Sequence, residues 1–281
     1  MADSKVPKAP KNSNRNRAKS RSAPEASTRE LRARLISQGE GWEDRYLWHR
    51  VESPFWKLIA ELLLTKTTRV AAERALEKLM KERPTPQLVA AAGEDGVRLL
   101  ISELGLRKRA LAVVEAARLM AERSDPPSPE EVKRLPQVGD YIADAYALYA
   151  LSKPAFPLDS NIERLLYRAL LGAEPPGKRP GPGKRRKSDP YKNRRLTLLK
   201  ESLCEGLSTD EIKALHQGAL LTAWSFCKAK PKCEGCPLED VCLKRVLERS
   251  ADEAPARGPK ESEAAQGGPR ARPPWGGRGS S

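Results

Sequence analysis

Residues 135–145 read LPQVGDYIADA. Pro136 cannot continue a helix, Gly139 supplies a turn, and IADA starts a new helical run. The stretch before it, SPEEVKRL (128–135), opens with a capping box, Ser128 to Glu131, with Pro129 between them. The pattern predicts one helix over 128–135, a short hairpin, and a second helix from about 140 to 152. Gly139 is expected to take a backbone conformation barred to residues with a Cβ. The amides of such a hairpin, with the N-terminus of the next helix, can face a phosphate. An ordinary αα-hairpin inside a bundle fits the same residues.

Outward from this hairpin the signals stay helical. SPFWKLIAELLLT (53–65) has Ser53 at the N-cap, Pro54 in the first turn, and Phe55, Leu58, Ile59, Leu62 and Leu63 at helical spacing. VAAERALEKLMKER (70–83) and RKRALAVVEAARLMAER (107–123) are amphipathic, and another helix is expected from about 160 to 171. STDEIKALHQGALLTAW (208–224) carries a second capping box, Ser208 to Glu211. No strand alternation or internal repeat stands out, so the fold class is all-α.

The chain has 281 residues and a net charge of +15. Most of the excess sits in two segments. Residues 1–23 carry +6 and GKRPGPGKRRKSDPYKNRR (177–195) carries +8, leaving +1 for the rest. Both are rich in Pro, Gly, Ser or Asn and read as a flexible tail and a basic insertion. Residues 1–28 and 251–281 read as disordered. Such segments serve solubility or attract phosphates through counterion release. No apolar run is long enough to span a membrane, and MADSKVPKAPKNSNRNRAKSRS lacks the apolar core of a signal peptide. A cytoplasmic, nucleoid-associated monomer is expected.

Four of the five cysteines fall in CKAKPKCEGCPLEDVC: Cys227, Cys233, Cys236 and Cys242, spaced C-x5-C-x2-C-x5-C. Close thiolates without a secretory signal point to a soft-metal site rather than to disulfides. A [4Fe–4S] cluster fits better than zinc, whose sites usually pair two C-x2-C units across a longer gap. Zinc and free thiols remain the alternatives. Cys204 stands apart and reads as a small core residue.

Two carboxylates carry candidate chemistry. Asp159, in PLDSNIERLLYRALLG (157–172), stands where a helix N-cap belongs. A carboxylate there could also stabilise a developing cation nearby. Glu61 sits within the apolar AELLL run, four residues after Lys57. It reads either as an exposed i, i+4 ion pair or as a buried acid with a raised pKa.

In their order and spacing, PFWKLIAELLLTKTT, LPQVGDYIADA, LDSNIERLL and the cysteine loop resemble the helix-hairpin-helix DNA glycosylases of the endonuclease III superfamily, over roughly residues 40–248. The resemblance implies two helical lobes with a DNA cleft between them. A barrel lobe over 53–159 would carry the hairpin. The other lobe would combine 29–52 with 160–250 and hold the [4Fe–4S] cluster. It makes Asp159 the catalytic aspartate and Glu61 the glutamate near the extruded base. Gln137, Val138 and Gly139 become the DNA-gripping hairpin, and Lys66 a residue that fills the vacated stack. The family hairpin reads L-P-G-V-G, so Gln137 replaces its first glycine. Two residues past the last glycine, endonuclease III enzymes have lysine, adenine glycosylases usually serine, and G·T mismatch glycosylases tyrosine. Here that residue is Tyr141, which cannot form a Schiff base.

The resemblance therefore implies a monofunctional glycosylase removing thymine or uracil opposite guanine, with mispaired or damaged duplex DNA as partner. Adenine glycosylases share both carboxylates but usually carry a large C-terminal recognition domain, where this chain has the polar residues 251–281. Removal of adenine from A·G or A·8-oxoguanine, removal of another modified base, and a non-catalytic DNA-binding module are the alternatives.

Overall fold

The computed structural model describes residues 28–105, 107–176 and 190–252, and the elements among them are helical, with no strand. Both tails and most of the basic 177–195 segment lie outside the described residues.

Helix α1 spans 28–39. It is followed by α2 (Leu47–Arg50), α3 (Pro54–Leu64), α4 (Arg69–Glu82), α5 (Pro86–Leu100), α6 (Arg107–Ala121) and α7 (Pro129–Val132). Helix α8 (Asp140–Ala145) runs into a π-helical turn, Tyr146–Ala150. After it come α9 (Ser160–Leu171), α10 (Arg194–Cys204), α11 (Thr209–Ser225) and α12 (Leu243–Asp252). Both expected capping boxes form, at Ser128/Glu131 and Ser208/Glu211. The helix expected over 128–135 is a single turn, and the one from 140 ends at Ala150.

Two apolar cores organise these helices. The first gathers Leu58, Ile59 and Leu63 of α3, Leu76 of α4, Val97 of α5 and Val113 of α6. The second gathers Leu31 and Leu35 of α1 with Leu148, Phe156, Leu166 of α9 and Leu215 of α11. The seam runs through α8, where Tyr141 packs against both cores. The N-terminal helix thus belongs with the C-terminal ones. Two glycines allow the approach: a Cβ on Gly218 would stand 1.8 Å from the Leu35 carbonyl oxygen, and one on Gly39 1.9 Å from that of Ala214. Only residues without a Cβ let α1 and α11 cross this closely. No helix among the described residues is long and apolar enough to cross a membrane.

Candidate active site

A cleft of about 2180 Å³ opens along the seam and is lined by Glu61, Lys66, Tyr141 and Asp159 together. Four residues singled out in the sequence, from three separate segments, meet there.

Asp159 is the N-cap of α9. Its Oδ1 accepts the Asn161 and Ile162 backbone N–H groups at 2.9 and 2.7 Å, and its Oδ2 accepts Asn161 Nδ2 at 2.6 Å. The segment leading to it is tied down as well. The Leu158 N–H donates to the Tyr191 hydroxyl at 3.0 Å, and that hydroxyl donates to Asp144 Oδ2 at 3.1 Å. Capping and facing the cleft are compatible, because the cap uses lone pairs on one side of a half-buried carboxylate.

Glu61 is held differently. It is 8 % exposed, and its Oε2 is buried without a hydrogen-bond partner. Burial pushes its pKa up to about 7. Of the two readings of Glu61, the buried acid holds and the i, i+4 pair with Lys57 does not form. Lys57 Nζ donates instead to the Tyr149 carbonyl at 2.9 Å. Glu61 lies on the buried face of α3, and the lysine is committed to the Tyr149 carbonyl.

Tyr141, in the first turn of α8, is half-buried. Burial first, then the Glu61 and Asp159 carboxylates, hold its phenol well above its ordinary range. Tyr141 is neutral and sits in the field of both acids.

The hairpin corrects one expectation. Gly139 is the N-cap of α8 with φ −108° and ψ −175°, an extended conformation open to any residue. The left-handed position is Gln137, at φ 64°. The chain turns back one residue after Pro136, so the strained position falls where the family has its first glycine. A Cβ at Gly139 would meet no atom within 4 Å, so neither backbone conformation nor crowding within the described residues calls for glycine there. Gln137, Val138 and Gly139 lie on the hairpin and do not line the cleft.

Lys66 also takes a left-handed conformation, φ 57°, in the corner between α3 and α4. Buried Arg109 of α6 holds that corner, donating to the Leu63 carbonyl at 2.8 Å and also to that of Thr65. A strained residue kept in place by its surroundings is common at functional sites.

Sequence reading missed a polar network beside Glu61. His49 Nδ1 donates to the Trp42 carbonyl at 2.6 Å, which leaves Nε2 as an acceptor for Gln217 Nε2 at 3.3 Å. Gln217 Nε2 also donates to the Tyr149 hydroxyl at 2.8 Å, and that hydroxyl donates to His216 Nδ1 at 2.6 Å. Burial lowers His49 to a pKa of about 4 and His216 to about 3, so both imidazoles are neutral. His49, Tyr149, His216 and Gln217 all line the cleft.

Cys227, Cys233, Cys236 and Cys242 line a separate cavity of about 30 Å³ beside α9. Among the described residues no three His, Cys, Asp or Glu side chains are grouped to hold a single metal ion. The four thiols share the lining of this one cavity. Burial, with the other thiols adding, raises Cys233, Cys236 and Cys242, with Cys236 at about 11. Arg168 Nη1 reaches Cys227 Sγ at 3.6 Å, and Arg245, whose Nε is buried without a partner, lines the same cavity. Both guanidiniums also pair with carboxylates, Arg168 with Glu174 and Arg245 with Glu239 and Glu248, so the fit to a thiolate-bound group rests on the four thiols. Arg164 Nε donates to the Cys227 carbonyl at 2.6 Å, so α9 joins the cysteine loop to the Asp159 end of the cleft.

Comparison with known proteins agrees with this arrangement. Residues 59–180 match the HhH-GPD superfamily of base excision DNA repair proteins. A thymine-DNA glycosylase of Aeropyrum pernix is 36 % identical over 221 residues, 76 % of this chain and 93 % of that protein. The chain belongs to the HhH-GPD superfamily. A thymine/uracil-DNA glycosylase of Pyrobaculum aerophilum is 30 % identical over 70 % of this chain and 83 % of its own length. The solved structure of a thermostable thymine-DNA glycosylase shares the fold, with a TM-score of 0.64 over 79 % of this chain and 98 % of that one, at 20 % identity.

Proposed function

We propose that this protein is a monofunctional DNA glycosylase that hydrolyses the bond between deoxyribose and a thymine or uracil mispaired with guanine. The observation that carries the reading is the meeting of Glu61, Tyr141 and Asp159 in one cleft, with a phenol at position 141. The thymine and thymine/uracil glycosylases among its relatives support the choice of base.

The target bond is out of reach inside the duplex, so the nucleotide must be extruded, and a mispaired base is the least costly to extract. Loss of the base leaves an oxocarbenium-like sugar. Asp159 stabilises that cation and orients the attacking water. Glu61, protonated near neutral pH, donates to the departing base. Tyr141 lines the cleft with the two carboxylates and offers no amine to capture the sugar, so the strand is left uncut. Lys66 enters the vacated stack. The 137–139 hairpin and the basic segments hold phosphates without reading sequence. The protein acts as a monomer in this reading.

Cys227, Cys233, Cys236 and Cys242 would hold a [4Fe–4S] cluster. When bound, it stabilises the loop carrying Lys228, and base removal needs no redox step.

The test uses duplexes with single T·G, U·G, A·G and A·8-oxoguanine pairs, scored for abasic sites after hot alkali. Thymine and uracil release is expected. Release of adenine alone would transfer the reading to the adenine branch. Strand cuts without alkali, or borohydride trapping of enzyme on DNA, would refute the assignment of Tyr141. Brown protein with four iron atoms per chain is expected on purification.

A further inference from the structure

One group at the cleft plays no part in the carboxylate chemistry. Trp48 and Tyr46 stack with centroids 4.6 Å apart and planes 9° from parallel. The Arg69 guanidinium carbon comes next, 5.5 Å from the Tyr46 centroid and 4.4 Å from that of Trp224. Arg69 Nη1 donates to the Tyr46 hydroxyl at 2.6 Å. Tyr46 packs against the first core and Trp224 against the second, so Arg69 bridges the two walls. All four side chains line the same cleft as Glu61 and Asp159.

A guanidinium has five N–H donors in a fixed planar fork. One is used on Tyr46, and the others make no hydrogen bond among the described residues. An exposed arginine ordinarily sweeps many rotamers. Here two rings hold it, so its orientation is set before any ligand arrives. Ligands that match the fork are carboxylates, phosphates and the O6/N7 edge of guanine. A phosphate needs no flat surface beside it. The indole and phenol faces next to Arg69 favour a planar partner, because bases stack on aromatic rings.

We propose that Arg69, held between Tyr46 and Trp224, reads the purine left unpaired when its partner is extruded, and accepts guanine over adenine. This rests on the glycosylase reading above and adds the residue that selects the opposite base. Guanine presents two acceptors, O6 and N7, to the fork. Adenine presents N7 but places an N6 donor where the second acceptor must be. The expected discrimination is about 10-fold or more.

The test compares single-turnover excision of uracil opposite guanine, 7-deazaguanine and adenine. In the wild type, 7-deazaguanine lowers the rate, since it lacks N7. In Arg69→Ala and Arg69→Lys, the guanine-to-adenine rate ratio falls about 10-fold and the 7-deazaguanine penalty disappears. Lysine keeps the charge but not the fork, so equal behaviour of the two variants marks geometry as the cause. Rates that fall equally on every duplex, with the ratio unchanged, overturn the proposal and leave Arg69 as a strut between the walls. If the wild type excises no base, the glycosylase reading fails separately. Binding to duplexes with an abasic analogue opposite guanine or adenine then decides Arg69: a preference for guanine lost in Arg69→Ala supports the proposal, and an unchanged preference overturns it.

Discussion

Glu61 and Asp159 face one cleft and are held by opposite means. Glu61 projects from the middle of α3, buried, with Oε2 unpartnered. Asp159 caps α9 and accepts three N–H hydrogen bonds. One environment favours the neutral acid, and the other surrounds the carboxyl group with hydrogen-bond donors. In the proposed reaction the same functional group takes two roles from its surroundings, a proton donor to the base and a negative charge facing the sugar. The contrast begins in sequence. AELLL supplies nothing to pair with a carboxylate, while DSNI supplies two main-chain amides and an asparagine side chain.

The largest effect is expected from Asp159→Asn. Asparagine keeps an oxygen for the cap and removes the charge. Single-turnover excision should fall by about 10³-fold while DNA affinity stays near wild type. A loss below about tenfold would break the contrast, because the charge at 159 would then not matter.

Glu61→Gln follows. It removes the proton and keeps the shape, and excision should fall by about 10²-fold. The wild-type rate should decline as pH rises through about 7, where Glu61 ionises, and the variant should lose that limb. The stability sign agrees. A carboxyl raised on folding favours the native state fully below its ordinary pKa of 4.5, and this is lost as pH rises toward 7. Glu61→Gln should therefore flatten the stability profile over that window in chemical denaturation. An alkaline limb that persists in the variant would assign the titration elsewhere.

Asn161→Ala acts on the other carboxylate by removing one of its three donors. Loss of about tenfold in rate is expected, with melting nearly unchanged, since both backbone amides remain. A fall as deep as that of Asp159→Asn would mean that Asn161 touches substrate itself.

How much of this was legible follows from the range of each interaction. The Asp159 cap, both capping boxes and the buried face of α3 are local, and local residue spacing carries them. Gln137 was readable as a departure from the family pattern, but its left-handed backbone became certain only with coordinates. The His49–Gln217 contact joins residues 168 apart, and Arg109 reaches the α3 corner across 46 residues. No window of sequence contains both partners of such pairs. The Gly39 and Gly218 crossing is similar: each glycine looks like a poor helix residue until the facing backbone is seen. The two readings of Glu61 stayed open for the same reason, since helical spacing to Lys57 was visible and the Tyr149 carbonyl was not.

The smallest effect sharpens the comparison most directly. If Glu61 were stabilised by Lys57, removing the lysine would raise the Glu61 pKa further and shift the alkaline limb upward. The lysine is bonded to the Tyr149 carbonyl, and burial alone accounts for the raised carboxyl. Lys57→Met keeps the length of the side chain and removes the ammonium. The limb near pH 7 should move by less than about half a unit. Stability should drop by about 1 kcal/mol, the value of one part-buried hydrogen bond. A shift of a full unit upward would show that the two carboxylates are less different than their surroundings indicate, with Glu61 leaning on a cation as Asp159 leans on its amides.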